Sequence, residues 1–252
     1  MNESVTRAVA KVPEVTFVFW LIKIAATTLG ETAGDAVTMS MNLGYLVGTA
    51  IFAALFAVAV VVQIRARRFR PFIYWATIIA TTTLGTTVAD FADRSLGIGY
   101  AGGASLLLGL LLTSLFVWYR ALGSVSVQSV SSPKAETFYW ITIMVSQTLG
   151  TALGDWTADS AGVGYLGAAA IFGALLAALA GAYLWTKVSH TLLFWGAFIL
   201  TRPLGAVLGD FLDKPHDHGG LALSRYTASA VLVGAMVVLT LAFKQRAATT
   251  AH

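Results

Sequence analysis

The sequence predicts an all-α membrane protein with eight transmembrane helices, built from four tandem parallel two-helix repeats and arranged as two pseudo-symmetric four-helix halves. Three observations carry that expectation. Of 252 residues, 57% are hydrophobic and only 11% are charged, whereas soluble domains have about a quarter of their residues charged. Apolar stretches that can cross a hydrocarbon core of about 30 Å recur eight times. One pattern, a tryptophan followed by Leu-Gly and aspartate at fixed spacing, occurs four times.

The expected spans are 15–38, 43–64, 71–93, 98–119, 137–159, 163–185, 190–212 and 223–243. The first follows a polar head, Met1 to Glu14, and is itself of full length, unlike the short apolar region of a cleavable signal peptide. The second runs through Ala50 to Val62 without the alternation of a barrel strand. In the third, Pro71 and Asp90 are 19 residues apart, about 28 Å along a straight helix, so the carboxylate falls near the edge of the core. The fourth and fifth flank the longer connection from Ser124 to Lys134. This connection divides the chain into a first half, 1–122, a linker, 123–134, and a second half, 135–252. The sixth again lacks alternation over Ala168 to Leu184. Pro203 removes a backbone donor in the seventh and predicts a kink. An insertion containing His216, Asp217 and His218 precedes the eighth.

Basic residues sort by connection. Arg7, Lys11, Arg65, Arg67, Arg68, Arg70, Arg120, Lys134, Lys187, Lys244 and Arg246 lie at the termini or after even-numbered spans, and the other connections hold only Arg94, Lys214 and Arg225. Because cytoplasmic loops carry the excess of Lys and Arg, both termini are expected in the cytoplasm. The pI of about 9.4 then follows from topology and calls for no nucleic acid. The absence of cysteine excludes disulfides, thiolate metal sites and cysteine nucleophiles.

The repeats align without gaps as TTLGETAGDAVT, TTLGTTVADFAD, QTLGTALGDWTA and RPLGAVLGDFLD. Asp35, Asp90, Asp155 and Asp210 each stand five residues after the Leu-Gly glycine and fifteen after Trp20, Trp75, Trp140 and Trp195. Tyr45, Tyr100 and Tyr165, each preceded by glycine, follow the first three aspartates by ten residues, and Tyr226 is their displaced fourth counterpart. At these residues the chain resembles a bacterial integral membrane family of unknown function, built from four tandem two-helix repeats that each carry a characteristic tryptophan. That resemblance implies eight helices and no particular chemistry.

Residues four and eight apart share a helix face. The motif helices therefore offer stripes of Thr27, Glu31 and Asp35; Thr82, Thr86 and Asp90; Gln147, Thr151 and Asp155; and Arg202, Ala206 and Asp210. Asp93, Asp159 and Asp213 lie three or four residues further on, and these stripes hold eight of the twelve acids in the chain. Small pairs beside them, such as Gly30 with Gly34 and Gly205 with Gly209, permit close helix approach and need no further role than packing. The tryptophans are read as anchors or packing groups. Two charges break the repeat symmetry: Lys23, where the other copies have Ile78, Ile143 and Phe198, and Arg202. Both are expected as internal counter-ions, for Glu31 and for a neighbouring repeat's aspartate.

Facing carboxylates repel unless protonated or paired with a cation. The expected function is therefore secondary transport of a small cation, with a divalent metal such as manganese as a candidate cargo, exchanged against protons. Asp35, Asp90, Asp155 and Asp210 are the expected metal ligands, and Glu31, Asp93, Asp159, Asp213, Thr27, Thr82, Thr86 and Thr151 supply further oxygens. No resident cofactor is expected; the partners are the bilayer, the cation and protons, with a homo-oligomer open. The alternatives are rim salt bridges with Arg94, Lys214 or Arg225 in a non-transporting sensor or assembly module, and an organic cation stacked on Tyr45, Tyr100 and Tyr165. No G-x-S-x-G, H-E-x-x-H, kinase or aspartyl-protease pattern occurs, so an enzyme is not expected. His190, His216, His218 and His252 lie outside the middle of any span, which disfavours deep haem ligation.

Overall fold

A computed structural model describes residues 10–248; Arg7 and His252 lie outside them. Among the described residues the chain forms eight long helices and no strand: α1 (Phe17–Asp35), α2 (Gly44–Arg65), α3 (Pro71–Asp90), α4 (Tyr100–Leu122), α5 (Pro133–Asp155), α6 (Gly164–Trp185), α7 (His190–Asp213) and α8 (Arg225–Ala242). Their starts follow local chemistry. The Thr16 hydroxyl accepts from the Phe19 amide at the head of α1, and Ser132 caps Ala135 at the head of α5. Pro71 and Pro133 occupy the first turns of α3 and α5, where a missing N–H is tolerated.

The motif helices run unbroken through Leu-Gly, and α7 continues through Pro203. In the first three repeats the change of geometry comes directly after the aspartate, as one π-helical turn: Ala36–Ser40, Phe91–Ser95 and Trp156–Ser160. The fourth repeat stays α-helical to Asp213. The glycine before each repeat tyrosine now has a reason: Gly44, Gly99 and Gly164 hold φ of 76°, 79° and 70° as the chain turns into the next helix.

The odd helices form a closed ring, α1 against α3, α3 against α5, α5 against α7, and α7 back against α1. Each even helix packs outside on the odd helix of the next repeat, α2 on α3, α4 on α5, α6 on α7, and α8 on α1. The two halves therefore meet through contacts of the same kind as those within each half. Six helices, α2, α3, α4, α6, α7 and α8, are long and apolar enough to cross a membrane, which makes this a multi-pass membrane protein. Helices α1 and α5 carry Lys23, Glu31 and Asp35, or Lys134, Glu136 and Gln147. These side chains are tolerable because Lys23, Glu31, Asp35, Glu136 and Gln147 face the interior.

At the N-terminal ends of the odd helices the core is aromatic. Phe19, Tyr74, Trp75, Tyr139, Trp140, Phe194 and Trp195 belong to one buried cluster with Trp118. The tryptophans thus pack inward, with Trp20 half-buried beside them. Tyr74 and Tyr139 are fully buried, and their hydroxyls meet at 2.7 Å. Removing one hydroxyl strands the other in an apolar layer, a cost of about 1–3 kcal/mol. We expect Tyr74→Phe to lower the melting temperature and the Tyr74→Phe/Tyr139→Phe pair to recover most of it, since Phe19 and Phe194 fill the equivalent places. Thermal unfolding of the parent and the two variants checks this.

The first and last described segments lie across the same end of the bundle. Pro13 and Ala247 form an isolated antiparallel bridge, and the Glu14 amide donates to the Arg246 carbonyl. Lys11 Nζ sits 2.6 Å from buried Glu136 and donates to the Ile64 carbonyl, while Gln63 holds the Lys11 carbonyl.

Candidate cation site

Equivalent positions at every fourth residue are buried in all four motif helices, which stacks the interior in layers along the i±4 ridges. From the aromatic end these are Phe19, Tyr74, Tyr139 and Phe194; Lys23, Ile78, Ile143 and Phe198; Thr27, Thr82, Gln147 and Arg202; Glu31, Thr86, Thr151 and Ala206; and Asp35, Asp90, Asp155 and Asp210. The Leu-Gly glycines make the ring tight. An added Cβ on Gly30, Gly85, Gly150 or Gly205 would collide with Thr82, Gln147, Arg202 or Thr27 respectively, so each repeat receives the next one's side chain. Four residues on, Gly34 faces Thr86, Gly154 faces Ala206 and Gly209 faces Glu31.

Arg202 ties all four odd helices. From α7 its Nη2 donates to Glu31 Oε2 at 2.9 Å on α1, to Thr86 Oγ1 at 2.6 Å on α3 and to Thr151 Oγ1 at 2.6 Å on α5. Nη1 reaches the Thr27 carbonyl at 3.4 Å, and the side chain is wholly buried. Arg202 thus pairs with Glu31. Lys23 is not a counter-ion. Its buried Nζ lies 4.2 Å from the centroid of the Phe198 ring, with no hydrogen-bond partner and no carboxylate partner among the described residues. Phe198 occupies the Lys23 layer on α7, which brings a ring rather than an acid against the amine.

The aspartate layer is not a symmetric ring. Oxygens of Glu31, Asp35 and Asp90 lie within 4.8 Å of one another, as do those of Asp35, Asp210 and Asp213. Cations from the same end of the bundle hold the edges. Arg94 pairs with Asp90 at 2.9 Å, Lys214 pairs with Asp35 at 2.5 Å and Asp210 at 3.0 Å, and Arg225 pairs with Asp213 at 2.9 Å and Asp35 at 3.7 Å. Lys214 lies just past the end of α7. Burial opposes its charge, but the Asp210, Asp35 and Asp213 carboxylates outweigh that and raise its pKa above the usual lysine range. Asp35 Oδ1, Asp90 Oδ2 and Asp213 Oδ1 remain buried without a hydrogen-bond partner.

The other expected ligands divide. Asp155 is buried and, among the described residues, pairs with no cation, yet it belongs to neither oxygen triad. Asp93 is half-buried and Asp159 is exposed, and both stay outside the triads. Thr27 is spent on backbone, donating toward the Lys23, Ile24 and Thr201 carbonyls. Thr86 and Thr151 take up Arg202, and Thr82 Oγ1 is buried without a partner. The Arg94 guanidinium lies 5.9 Å from the Tyr45 ring centroid. His216–His218 forms an exposed 3₁₀ turn in which His216 Nδ1 meets the Gly220 carbonyl at 2.9 Å and His218 is 4.0 Å from Asp217. Sequence reasoning missed the Tyr74–Tyr139 pair, whose signal was a tyrosine before the tryptophan in the two middle repeats. The buried Lys11–Glu136 pair had no signal, because Glu136 lies outside the repeat motif.

No curated protein and no solved structure gives a significant match to the chain. A family model described as Repeat of Unknown Function (DUF347) matches four successive segments, residues 18–69, 73–123, 138–189 and 193–248. Each segment carries one Trp, Leu-Gly and Asp motif helix and the helix that follows it, so the chain belongs to this four-repeat family of unknown function.

Proposed function

We propose that the protein is a secondary transporter of a small hard cation, exchanged against protons, with Glu31, Asp35 and Asp90 as the binding set and Asp155 beside it. One observation carries this reading: three buried carboxylates come within 4.8 Å of one another, and two of them keep an oxygen with no hydrogen-bond partner. Arg202, Lys214 and Arg94 each pair with one member of the triad, and the two unpartnered oxygens are the ones a further cation or proton would satisfy. Oxygen-only ligands suit manganese, magnesium or calcium better than soft metals. Lys214 acts as a tethered cation on the Asp35–Asp210 edge, which the cargo competes with for Asp35.

In this reading all eight helices span a bacterial inner membrane, with both termini cytoplasmic. Enclosure of α1 and α5 by apolar helices supports eight spans. The glycine contacts advance in the same sense along both partners, Gly30 on Thr82 then Gly34 on Thr86, which supports parallel repeats. The carboxylates then open outward, and the Tyr74–Tyr139 layer with the terminal strap closes the inner side. Alternating access comes from rocking the 1–122 half against the 135–252 half at the α3–α5 and α7–α1 joints.

A second reading draws support from the ion pairs of Arg94, Lys214 and Arg225: a salt-bridged rim in a non-transporting module. Arg94 beside Tyr45 likewise occupies part of the place an organic cation would take. Thermal shift with a panel of divalent cations across pH separates these readings, together with proteoliposome flux. We expect Mn²⁺ to stabilise the parent by several degrees, and Asp35→Asn and Asp90→Asn to abolish both stabilisation and flux. Unchanged flux in Asp90→Asn, with no stabilisation of the parent by any cation, establishes the rim reading instead.

A further inference from the structure

A cavity of about 600 Å³ opens between α1, α6 and α7, away from the carboxylates. Its polarity is graded. Thr16, Ser126, His190 and Thr191 lie at one end, and Ile24, Leu176, Ala177 and Ala197 line the other, beside Thr201, whose hydroxyl is taken up by the Phe198 carbonyl. Along α7 the lining extends from His190 to Thr201, eleven residues or about 16 Å of helix. That is the depth of one leaflet, half of a hydrocarbon core of about 30 Å. The polar end adjoins the connection between α6 and α7, where exposed Lys187 stands three residues from the lining residues Leu184 and His190. Tyr183 and His190 rings meet at 5.0 Å on this rim, beside largely exposed Trp185.

The repeats explain why the groove is open here. Counting from the repeat tyrosines, Ala180 of α6 corresponds to Val60 of α2 and Leu115 of α4, both packed against the main core. Ala197 of α7 corresponds to Ile22, Thr77 and Thr142, all buried. Smaller side chains on both walls leave space that is filled at the α2–α3 and α4–α5 joints. The joint between the third and fourth repeats thus builds a lateral slot of one leaflet's depth, with its polar mouth beside a lysine.

We propose that this slot binds one acyl chain of an anionic phospholipid from the leaflet on the basic side of the bilayer, with the headgroup at Lys187 and His190. The length sets the chain, the apolar inner end excludes a polar ligand, and Lys187 selects a negative headgroup. This site is independent of cation transport. Its inner end reaches Thr201, next to Arg202, so the lipid also buttresses the helix that ties the ring.

Native mass spectrometry of the full chain released from nanodiscs containing phosphatidylglycerol and phosphatidylcholine tests the proposal. We expect one retained phosphatidylglycerol on the parent. Ala180→Leu, which restores the residue found in α4, removes it. Lys187→Glu lowers its occupancy at least threefold relative to phosphatidylcholine. Equal retention of both lipids by the parent overturns the headgroup assignment, and undiminished retention in Ala180→Leu overturns the site. A circular dichroism melt of Ala180→Leu at or above that of the parent shows that lipid loss reflects filling of the slot rather than misfolding. A melt below the parent moves the reading to Ala177→Leu, for which undiminished retention again overturns the site.

Discussion

Arg202→Met lowers the melting temperature of the detergent-solubilised protein by roughly 10 °C, on the scale of the 3–5 kcal/mol (about) that breaking a buried ion pair costs. The size follows from the contacts. One Nη2 atom serves Glu31, Thr86 and Thr151 on three different helices. Its loss leaves a wholly interior carboxylate without its cation and two hydroxyls without their donor. Arg202→Lys recovers little, because a lysine amine lacks the planar guanidinium and the reach to satisfy three helices while Nη1 faces the Thr27 carbonyl. Glu31→Gln added to Arg202→Met restores part of the loss by removing the orphaned charge. A double-mutant cycle by thermal unfolding measures the coupling. Equal melting temperatures for parent and Arg202→Met would show that the guanidinium does not hold the ring together.

This pair marks how far the site could be read from residue spacing. Arg202 and Glu31 stand out in the sequence because both are charges in otherwise apolar spans, and such charges seek partners, but the spacing alone does not say which partner each takes. Lys23 is likewise a charge in an apolar span, but register places it two layers from Glu31, the nearest acid of the stack, and against Phe198. The helices were legible for a plain reason: span length and repeat spacing are properties of one segment at a time. The expected spans and the observed helices share their order and nearly their ends. The π turns after Asp35, Asp90 and Asp155 were not legible, because a single wide turn depends on how the chain reverses into the next helix. Nor was the unequal carboxylate layer. Equivalent spacing in four repeats sets the carboxylates at one level, but Lys214 and Arg225 from the fourth repeat pair with Asp35, Asp210 and Asp213 on one side.

The closure of the ring yields the second large effect. Gly205→Ala is expected to cost about 1–3 kcal/mol, a fall of several degrees in melting temperature. Its new methyl would meet the Thr27 hydroxyl and would stand 2.8 Å from the Thr27 carbonyl carbon. A rotamer change cannot move backbone, so Thr27→Ala does not rescue it. Gly109→Ala is the internal control: on α4 an added Cβ meets nothing within 4 Å. There the substitution leaves stability unchanged or raises it by about 0.5–1 kcal/mol, since alanine restricts the unfolded chain more than glycine does. Two identical chemical changes in two transmembrane helices therefore move stability in opposite directions. Gly30→Ala should fall between them, because the atoms it meets belong to the Thr82 side chain. The order Gly205, Gly30, Gly109 distinguishes a closed ring from a row of repeats. In a row α7 and α1 would be free ends tolerant of a methyl group, whereas in a ring their joint is as confined as any other, and Gly205 is where the last repeat receives the first.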